Sequence, residues 1–192
     1  MSPTVREQGK LFEKFVRQYL RCSKTYQNLT DVWMWSDFPF RGKLPDTGID
    51  LVCKTEDGEF WAVQCKFYEE NSQIAKGDVD SFLSASAMAF LDEEGKSRQF
   101  VYRLVFATAD LSSNAKETLE KQVVAAGVLH LEDLDDAGID WATFWEGFDT
   151  HMIRGMAEEF TLSVQEPPKE LRPHQQKALE DVLRGFETDD RG

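Results

Sequence analysis

The sequence is poor in cysteine and has no long apolar run. Its 192 residues include three cysteines and no CxxC pair, which argues against a structural zinc site or a disulfide framework. No apolar run approaches the ~20 residues that span a bilayer, and the N-terminal MSPTVREQGK does not resemble a signal peptide. We therefore expect a cytoplasmic protein without membrane contact, long enough for one domain or slightly more.

Basic residues are also scarce, since the net charge is −13. This balance is unusual for a DNA-binding domain and leaves an acidic protein-interaction domain open as a function. The charge is uneven, however, because residues 1–30 hold six basic and two acidic side chains, a net charge of +4. The acidic excess lies later, in LEDLDDAGID and MAEEF. One basic face predicts weak DNA binding that depends on delivery by another component, although charged helix surfaces are often only solvated.

The segment TGIDLVCKTEDGEFWAVQCKFY predicts a tight β-hairpin. Residues 56–58 suit a three-residue loop, a type I turn with Gly58 in the left-handed conformation. This loop places Thr55 opposite Glu59 and therefore Asp50 opposite Gln64. A two-residue turn at 57–58 would shift the pairing by one residue and mix apolar with polar side chains on each face. We therefore predict the three-residue loop.

This register separates the two faces of the hairpin. One face is apolar and comprises Ile49, Leu51, Cys53, Trp61, Val63 and Cys65. The other carries Asp50, Gln64 and Lys66, together with Val52, Lys54, Phe60 and Ala62. A carboxylate and an amide oxygen can hold Mg²⁺, which polarises a phosphate and activates water, while a lysine stabilises the developing charge. The spacing D-x13-Q-x-K is short, so an ordinary polar sheet edge is the alternative.

The pattern resembles the PD-(D/E)xK nuclease superfamily and, within it, the Mrr-like restriction endonuclease branch, which often has Gln in place of Glu. The resemblance covers roughly residues 5 to 135 and rests on GKLFEKFVRQYL, TGIDLV, AVQCKFY, LVFATADLSSNAKETLEK and VLHLEDL. It implies that Asp50 is a metal ligand, Gln64 the second ligand, Lys66 the catalytic lysine and Glu13 a supporting acid. The implied cofactor is Mg²⁺, for which Mn²⁺ can substitute. Because Gln64 is neutral, we expect low metal affinity without DNA.

Two acidic residues have alternative interpretations. Glu13 lies at the flank of an apolar helix stripe, where an ordinary surface glutamate is common, so its supporting role depends on the resemblance. Asp46 is a nearby alternative ligand, but LPDTG is more typical of a turn.

The order of predicted elements indicates an α/β fold, a restriction-endonuclease-like mixed β-sheet flanked by helices. We predict helices over residues 4–21, from Asp78 or Ser81 to Phe90, and from Ser112 or Ser113 to Ala126, with Gly127 ending the last. Strands are predicted over residues 32–36, 100–108 and 128–131, in addition to the hairpin. Asp140 is expected to cap a helix with Trp141, Phe144, Trp145 and Phe148. Their spacing favours packing, and a base-stacking platform is the alternative.

The end of the sequence predicts a second, incomplete domain. Residues 161–170 look like a linker stiffened by Pro167 and Pro168. LRPHQQKALEDVLRGF follows and resembles the start of a superfamily 2 helicase motor of restriction enzymes, which implies that Gln175 recognises adenine. No G-x-x-x-x-G-K-[ST] follows, so ATP would serve only the missing motor. We predict a nuclease domain over residues 1–160, a linker over 161–170 and a truncated motor over 171–192.

The combination resembles single-polypeptide type I restriction-modification enzymes. The predicted function is a Mg²⁺-dependent DNA endonuclease domain that acts on double-stranded DNA. Its predicted partners are the downstream helicase, methyltransferase and target-recognition domains of a longer enzyme. A nuclease-like module that binds DNA or a partner without cutting, an acidic interaction domain and a junction resolvase remain alternatives.

Overall fold

A five-stranded mixed sheet forms the centre of the fold in the computed structural model of this chain. The structure describes residues 4–44, 48–68, 72–134, 138–146 and 148. The strands are β1 Leu29–Met34, β2 Leu51–Thr55, β3 Phe60–Lys66, β4 Gln73–Ile74, β5 Phe90–Leu91, β6 Ser97–Arg98, β7 Phe100–Ala107, β8 Asp110–Leu111 and β9 Ala126–His130. The α-helices are α1 Val5–Cys22, α2 Lys76–Ser86, α3 Ser113–Glu120 and α4 Trp141–Glu146. The central sheet has the order β1-β2-β3-β7-β9.

Strand directions make this sheet mixed, as predicted. The pairs β1–β2 and β2–β3 are antiparallel, and the pairs β3–β7 and β7–β9 are parallel. Strand β1 is an edge strand, and its register shifts between Leu29 and Asp31. The short strands form two small ribbons, β4 with β8 and β5 with β6.

Helix α1 confirms the predicted first helix to within one residue at each end. Thr4 caps it, because its hydroxyl accepts the backbone N–H of Glu7 while the Glu7 carboxylate accepts the N–H of Thr4 at 2.7 Å. This reciprocal capping satisfies two donors that a helix start leaves unpaired. Phe12, Val16 and Leu20 are buried on the inner side of the helix.

The hairpin register is confirmed. The N–H of Thr55 donates to the carbonyl of Glu59 at 2.9 Å, and Gly58 has φ of 76°. The paired ladder ends with Leu51 opposite Val63. The predicted three-residue loop therefore forms, because Gly58 adopts the left-handed conformation without a steric penalty.

The prediction that one face of the hairpin is apolar and the other polar is wrong in one respect, because apolar side chains are buried on both faces. Leu51 and Val63 are fully buried on one face, and Val52 and Ala62 are fully buried on the other. The second pair belongs to a core cluster that also contains Ile49, which the prediction placed on the opposite face. The physical reason is that helices cover both sides, so polar side chains concentrate at the strand ends.

Helices lie on both sides of the sheet, as predicted. Val79 and Phe82 of α2 and Leu119 of α3 share one apolar cluster with Val105 of β7. Side chains alternate along a strand, and the neighbouring Phe106 faces the other way, towards α1, where its ring lies 6.0 Å from that of Tyr19.

Several predicted boundaries were wrong. Helix α2 ends at Ser86, and Phe90 lies in β5, where its ring is 5.2 Å from Phe38 and 5.1 Å from Phe60. Helix α3 ends at Glu120 rather than at Ala126. Gly127 lies inside β9, where a side chain would collide with the Tyr102 hydroxyl. Ring packing around Phe38 and Phe60 accounts for Phe90, and close packing against Tyr102 accounts for Gly127. Local helix signals do not encode these contacts.

Packing is confirmed for part of the aromatic helix. Phe144 of α4 is fully buried and its ring lies 5.5 Å from Phe15 of α1. The N–H of Thr143 donates to the Asp140 carboxylate at 3.4 Å, which supports the predicted cap. The Trp141 side chain, Asp46, Pro167, Pro168 and Gln175 lie outside the described residues. None of the helices in the described part of the chain is long and apolar enough to span a membrane.

Candidate active site

Asp50 lies immediately before β2 and is held by both neighbouring strands. Its backbone N–H donates to the carbonyl of Val63 at 2.9 Å, and its carbonyl accepts the N–H of Trp35 at 2.8 Å. Its side-chain Oδ2 accepts the backbone N–H of Cys65 at 2.7 Å. The first two hydrogen bonds fix the main chain of Asp50, and the third orients its half-buried carboxylate beside the C-terminal end of β3.

Gln64 occupies β3 next to Cys65 and is only 3% exposed. Among the described residues, no donor lies within hydrogen-bonding distance of its Oε1, and this atom is buried. A buried acceptor without a partner costs about 1–3 kcal/mol, so it calls for an explanation such as an absent ligand. Lys66 follows two residues later, at the end of β3, and therefore emerges on the same face of the sheet.

Helix α1 brings Glu13 into the electrostatic field of Asp50. Burial, reinforced by the negative charge of Asp50, raises the pKa of Glu13 to about 7, while Lys10 acts in the opposite direction. A nearby negative charge raises the pKa of a carboxyl because it disfavours the ionised form, and burial acts in the same direction. Glu13 and Asp50 are called the acid pair below.

Cys65 contributes its backbone rather than its thiol. Burial, with smaller contributions from Asp50 and Glu13, raises the pKa of this thiol well above its usual value. The thiol therefore stays neutral at physiological pH and is a poor nucleophile. Its backbone N–H orients Asp50.

Thr108 is a positioning residue that the sequence reasoning missed. It follows β7, and its hydroxyl donates to the carbonyl of Tyr68 at 2.7 Å and accepts the Tyr68 N–H at 2.8 Å. Its own N–H donates to the carbonyl of Lys66 at 3.0 Å. The chain just beyond Lys66 is thereby attached to the neighbouring parallel strand. A single threonine forty residues away in sequence carries no local signal for this role.

The donors at this site fit a hard divalent cation. The described residues contain no group of three or more His, Cys, Asp or Glu side chains that could hold a metal ion. The candidate oxygen donors are the carboxylates of Glu13 and Asp50 and the unpaired Gln64 Oε1. Side chains alternate along β3, so Gln64 lies on the side of Val105, whereas Cys65 lies on the α1 side with Phe106. Mg²⁺ accepts such oxygen donors and keeps several waters. A bound cation would give the Gln64 oxygen a partner and would lower the pKa of Glu13.

Solved structures resemble this fold to different degrees. The chain is 30% identical to "ATP-dependent Type ISP restriction-modification enzyme LlaBIII bound to DNA", with a TM-score of 0.55 over 96% of this chain. It spans only 11% of that chain. A protein of unknown function, AF1548, has 14% identity and a TM-score of 0.39, with 91% of this chain and 77% of that chain covered. A repair endonuclease from Pyrococcus abyssi has 14% identity and a TM-score of 0.34, covering 68% of this chain and 48% of that chain.

Family membership rests on a sequence match. No curated protein matched the chain significantly. The model of a restriction endonuclease family, Mrr_cat_2, matches residues 23–151. This match includes Asp50, Gln64 and Lys66, whereas Glu13 precedes it. Because the matched segment is more than half of the 192 residues, and the mixed sheet agrees with it, the chain belongs to this restriction endonuclease family.

Proposed function

We propose that this nuclease domain cleaves double-stranded DNA with Mg²⁺, or Mn²⁺ as a substitute, at the site formed by Asp50, Gln64 and Lys66. The observation that carries the proposal is the buried Gln64 Oε1, which has no hydrogen-bond donor among the described residues. Asp50 and Gln64 would hold the metal, and Glu13 would support them as a second negative charge. A bound divalent cation supplies Lewis-acid activation of the phosphate and of water.

The chain's own residues would divide the remaining work. The hydrogen bond from the Cys65 N–H keeps Asp50 Oδ2 oriented and reduces the reorganisation that binding requires. Gln64 presents an oxygen that is already desolvated. Lys66, held by the Thr108 contact to its carbonyl, would place its ammonium group against the charge that develops on the phosphate. Water would attack phosphorus, and the P–O bond to one sugar oxygen would break, which leaves a phosphate monoester on one side of the nick and a sugar hydroxyl on the other.

The same proposal includes a longer enzyme. The similarity to LlaBIII, an ATP-dependent restriction-modification enzyme of which this chain spans 11%, supports association with an ATP-dependent restriction-modification enzyme. Downstream helicase, methyltransferase and target-recognition domains remain the partners that the sequence resemblance implies. We retain residues 1–160 as the nuclease domain, 161–170 as a linker and 171–192 as the start of a motor in which Gln175 contacts adenine. A cytoplasmic location goes with DNA as the substrate.

Plasmid nicking tests the proposal. The 192-residue protein would be incubated at low salt with supercoiled plasmid and Mg²⁺ or Mn²⁺, beside Asp50→Ala and Lys66→Ala. Asp57→Ala and Lys116→Ala are matched controls because they remove the same side chains from exposed positions. We expect metal-dependent nicked circles from the wild type and both controls, and at least about a hundredfold less from the two site variants.

The other outcomes separate the alternatives. Equal nicking by the wild type and both site variants would overturn the residue assignment. If the wild type does not nick, the same four variants would be compared in the longer enzyme. Absence of metal-dependent cleavage there as well would identify a nuclease-like module that does not cut.

A further inference from the structure

Basic side chains are concentrated on one side of α1, in a chain whose net charge is −13. At 3.6 residues per turn they fall within an arc of about 80°. The buried residues Phe12, Val16 and Leu20 lie on the opposite side of the helix. The set, called the α1 stripe, is Arg6, Lys10, Lys14, Arg17 and Arg21.

The α1 stripe faces solvent. Four of its members are exposed, and Arg17 is half-buried because its Nε donates to the carbonyl of Val32 in β1 at 3.1 Å. The helix contains two acids. Glu7 is used in the capping box with Thr4, and Glu13 belongs to the acid pair. The helix therefore carries a net charge of +3 on the side turned away from the core.

One border of the α1 stripe adjoins the proposed metal site. Lys10 is near enough to Glu13 to oppose the rise in its pKa, and Asp50 acts on the same carboxyl. Arg17 reaches Val32, two residues before the end of β1 at Met34, and Met34 pairs with Leu51 beside Asp50. A polyanion that follows the stripe would thus pass the acid pair.

We propose that the α1 stripe binds the sugar-phosphate backbone of duplex DNA that flanks the scissile bond. This inference rests on the proposed nuclease function and identifies the surface that would hold its substrate. From Arg6 to Arg21 the stripe is about 22 Å long, which corresponds to about six base-pair steps along the axis of a duplex. Phosphate contacts of this kind position a duplex without reading its sequence. Charge complementarity favours DNA over an apolar protein segment.

DNA binding by the full 192-residue protein tests this surface. Fluorescence anisotropy would follow a labelled 20-base-pair duplex with Ca²⁺ in place of Mg²⁺ over a range of KCl concentrations. The test variant is Lys14→Gln with Arg21→Gln, two exposed members of the stripe that are not assigned to the metal site. The matched control, Lys116→Gln with Lys121→Gln, removes the same charge from exposed positions of the α3 region. Circular dichroism would verify that both fold.

We expect the test variant to bind DNA about tenfold more weakly at low salt and to lower the slope of log affinity against log salt by about 2. The control should leave both quantities unchanged. Equal effects of the two variants, no effect of the test variant, or no measurable binding by the wild type would each overturn the inference. If the test variant bound DNA as the wild type does but bound an acidic protein more weakly, the stripe would be assigned to a protein partner instead.

This test is independent of cleavage. Binding through the α1 stripe combined with equal nicking by wild type and Asp50→Ala would retain the DNA surface and overturn the metal-site assignment. If nicking depends on Asp50 but the stripe variant binds DNA as the wild type does, the metal-site assignment would be retained and the DNA surface would be overturned.

Discussion

The half-buried carboxyl of Glu13 connects the stability of the metal-free fold to pH. Its pKa is about 7 in the folded chain, against an ordinary value of 4.5 for a glutamate. Between these values the folded state holds a proton that the unfolded state has released, so the free energy of unfolding falls as pH rises through this window. We expect Glu13→Gln to flatten the dependence of the melting temperature on pH between 4.5 and 8 in EDTA, and to be more stable than wild type at pH 8.

Glu7 provides a control with the opposite sign. Hydrogen bonds from Thr4 lower the pKa of this exposed carboxyl, so its contribution is present above the unfolded pKa and is lost as pH falls through the folded one. Glu7→Gln should therefore lower the melting temperature at neutral pH. Identical pH profiles for Glu13→Gln and wild type would contradict the electrostatic account of the acid pair.

The unpaired Gln64 oxygen makes a second prediction at the scale of one residue. Gln64→Glu should bind Mn²⁺ about tenfold more tightly, about 1.4 kcal/mol, because a carboxylate is a stronger ligand than an amide. Without metal the variant should be less stable than wild type, since it buries an ionisable carboxyl in place of a neutral amide. The measurement is the melting temperature across a Mn²⁺ titration.

The companion variant Gln64→Leu removes the oxygen and leaves a side chain of similar size. It should lose the Mn²⁺-dependent rise in melting temperature. A rise equal to that of wild type would show that Gln64 is not a ligand.

At the scale of elements, Gly48 couples the start of the catalytic hairpin to α2. It has φ of 80°, and a Cβ built there would lie 2.6 Å from the backbone nitrogen of Phe82. Gly58 has a similar φ of 76° but nothing within 4 Å of the same position. We expect Gly58→Ala to cost about 1–2 kcal/mol through backbone strain alone, and Gly48→Ala to cost about 1–3 kcal/mol more through overpacking.

Urea unfolding of the two alanine variants measures this difference. Gly48→Ala should also lower nicking activity, because Asp50 follows two residues later. Equal stabilities of the two variants would mean that α2 yields at Phe82 without cost, and the proposed coupling would be wrong.

The sequence predicted those elements whose signals are local. The hairpin register followed from the turn at Gly58 and from alternation, and α1 followed from its apolar stripe of Phe12, Val16 and Leu20. The end of α2 depended on a ring cluster around Phe38, and the place of Gly127 depended on Tyr102. No local rule encodes such contacts. The roles assigned to Asp50, Gln64, Lys66 and Glu13 stay predictions, and Thr108 could not be found without the parallel neighbour of β3.

At the scale of the whole molecule, the net charge of −13 disfavours DNA binding, whereas the basic α1 stripe favours it. Binding that depends on five basic residues should weaken steeply as salt screens and competes with them. We expect nicking at subsaturating protein to fall by about a hundredfold or more between 50 and 200 mM KCl. The measurement is the initial nicking rate, with a salt-independent rate as the contradicting outcome.

The shifted register of β1 also affects how copies of this protein meet one another. An edge strand exposes unpaired N–H and C=O groups that can template a further strand from another chain. Here the regular row is interrupted between Leu29 and Asp31, and the Thr30 hydroxyl is bonded to the Asp31 carboxylate at 3.0 Å. A bulge and an exposed charge are two devices that discourage edge-to-edge polymerisation. The start of this edge strand, at the end away from Asp50, thus carries two features that discourage pairing with another copy of the chain.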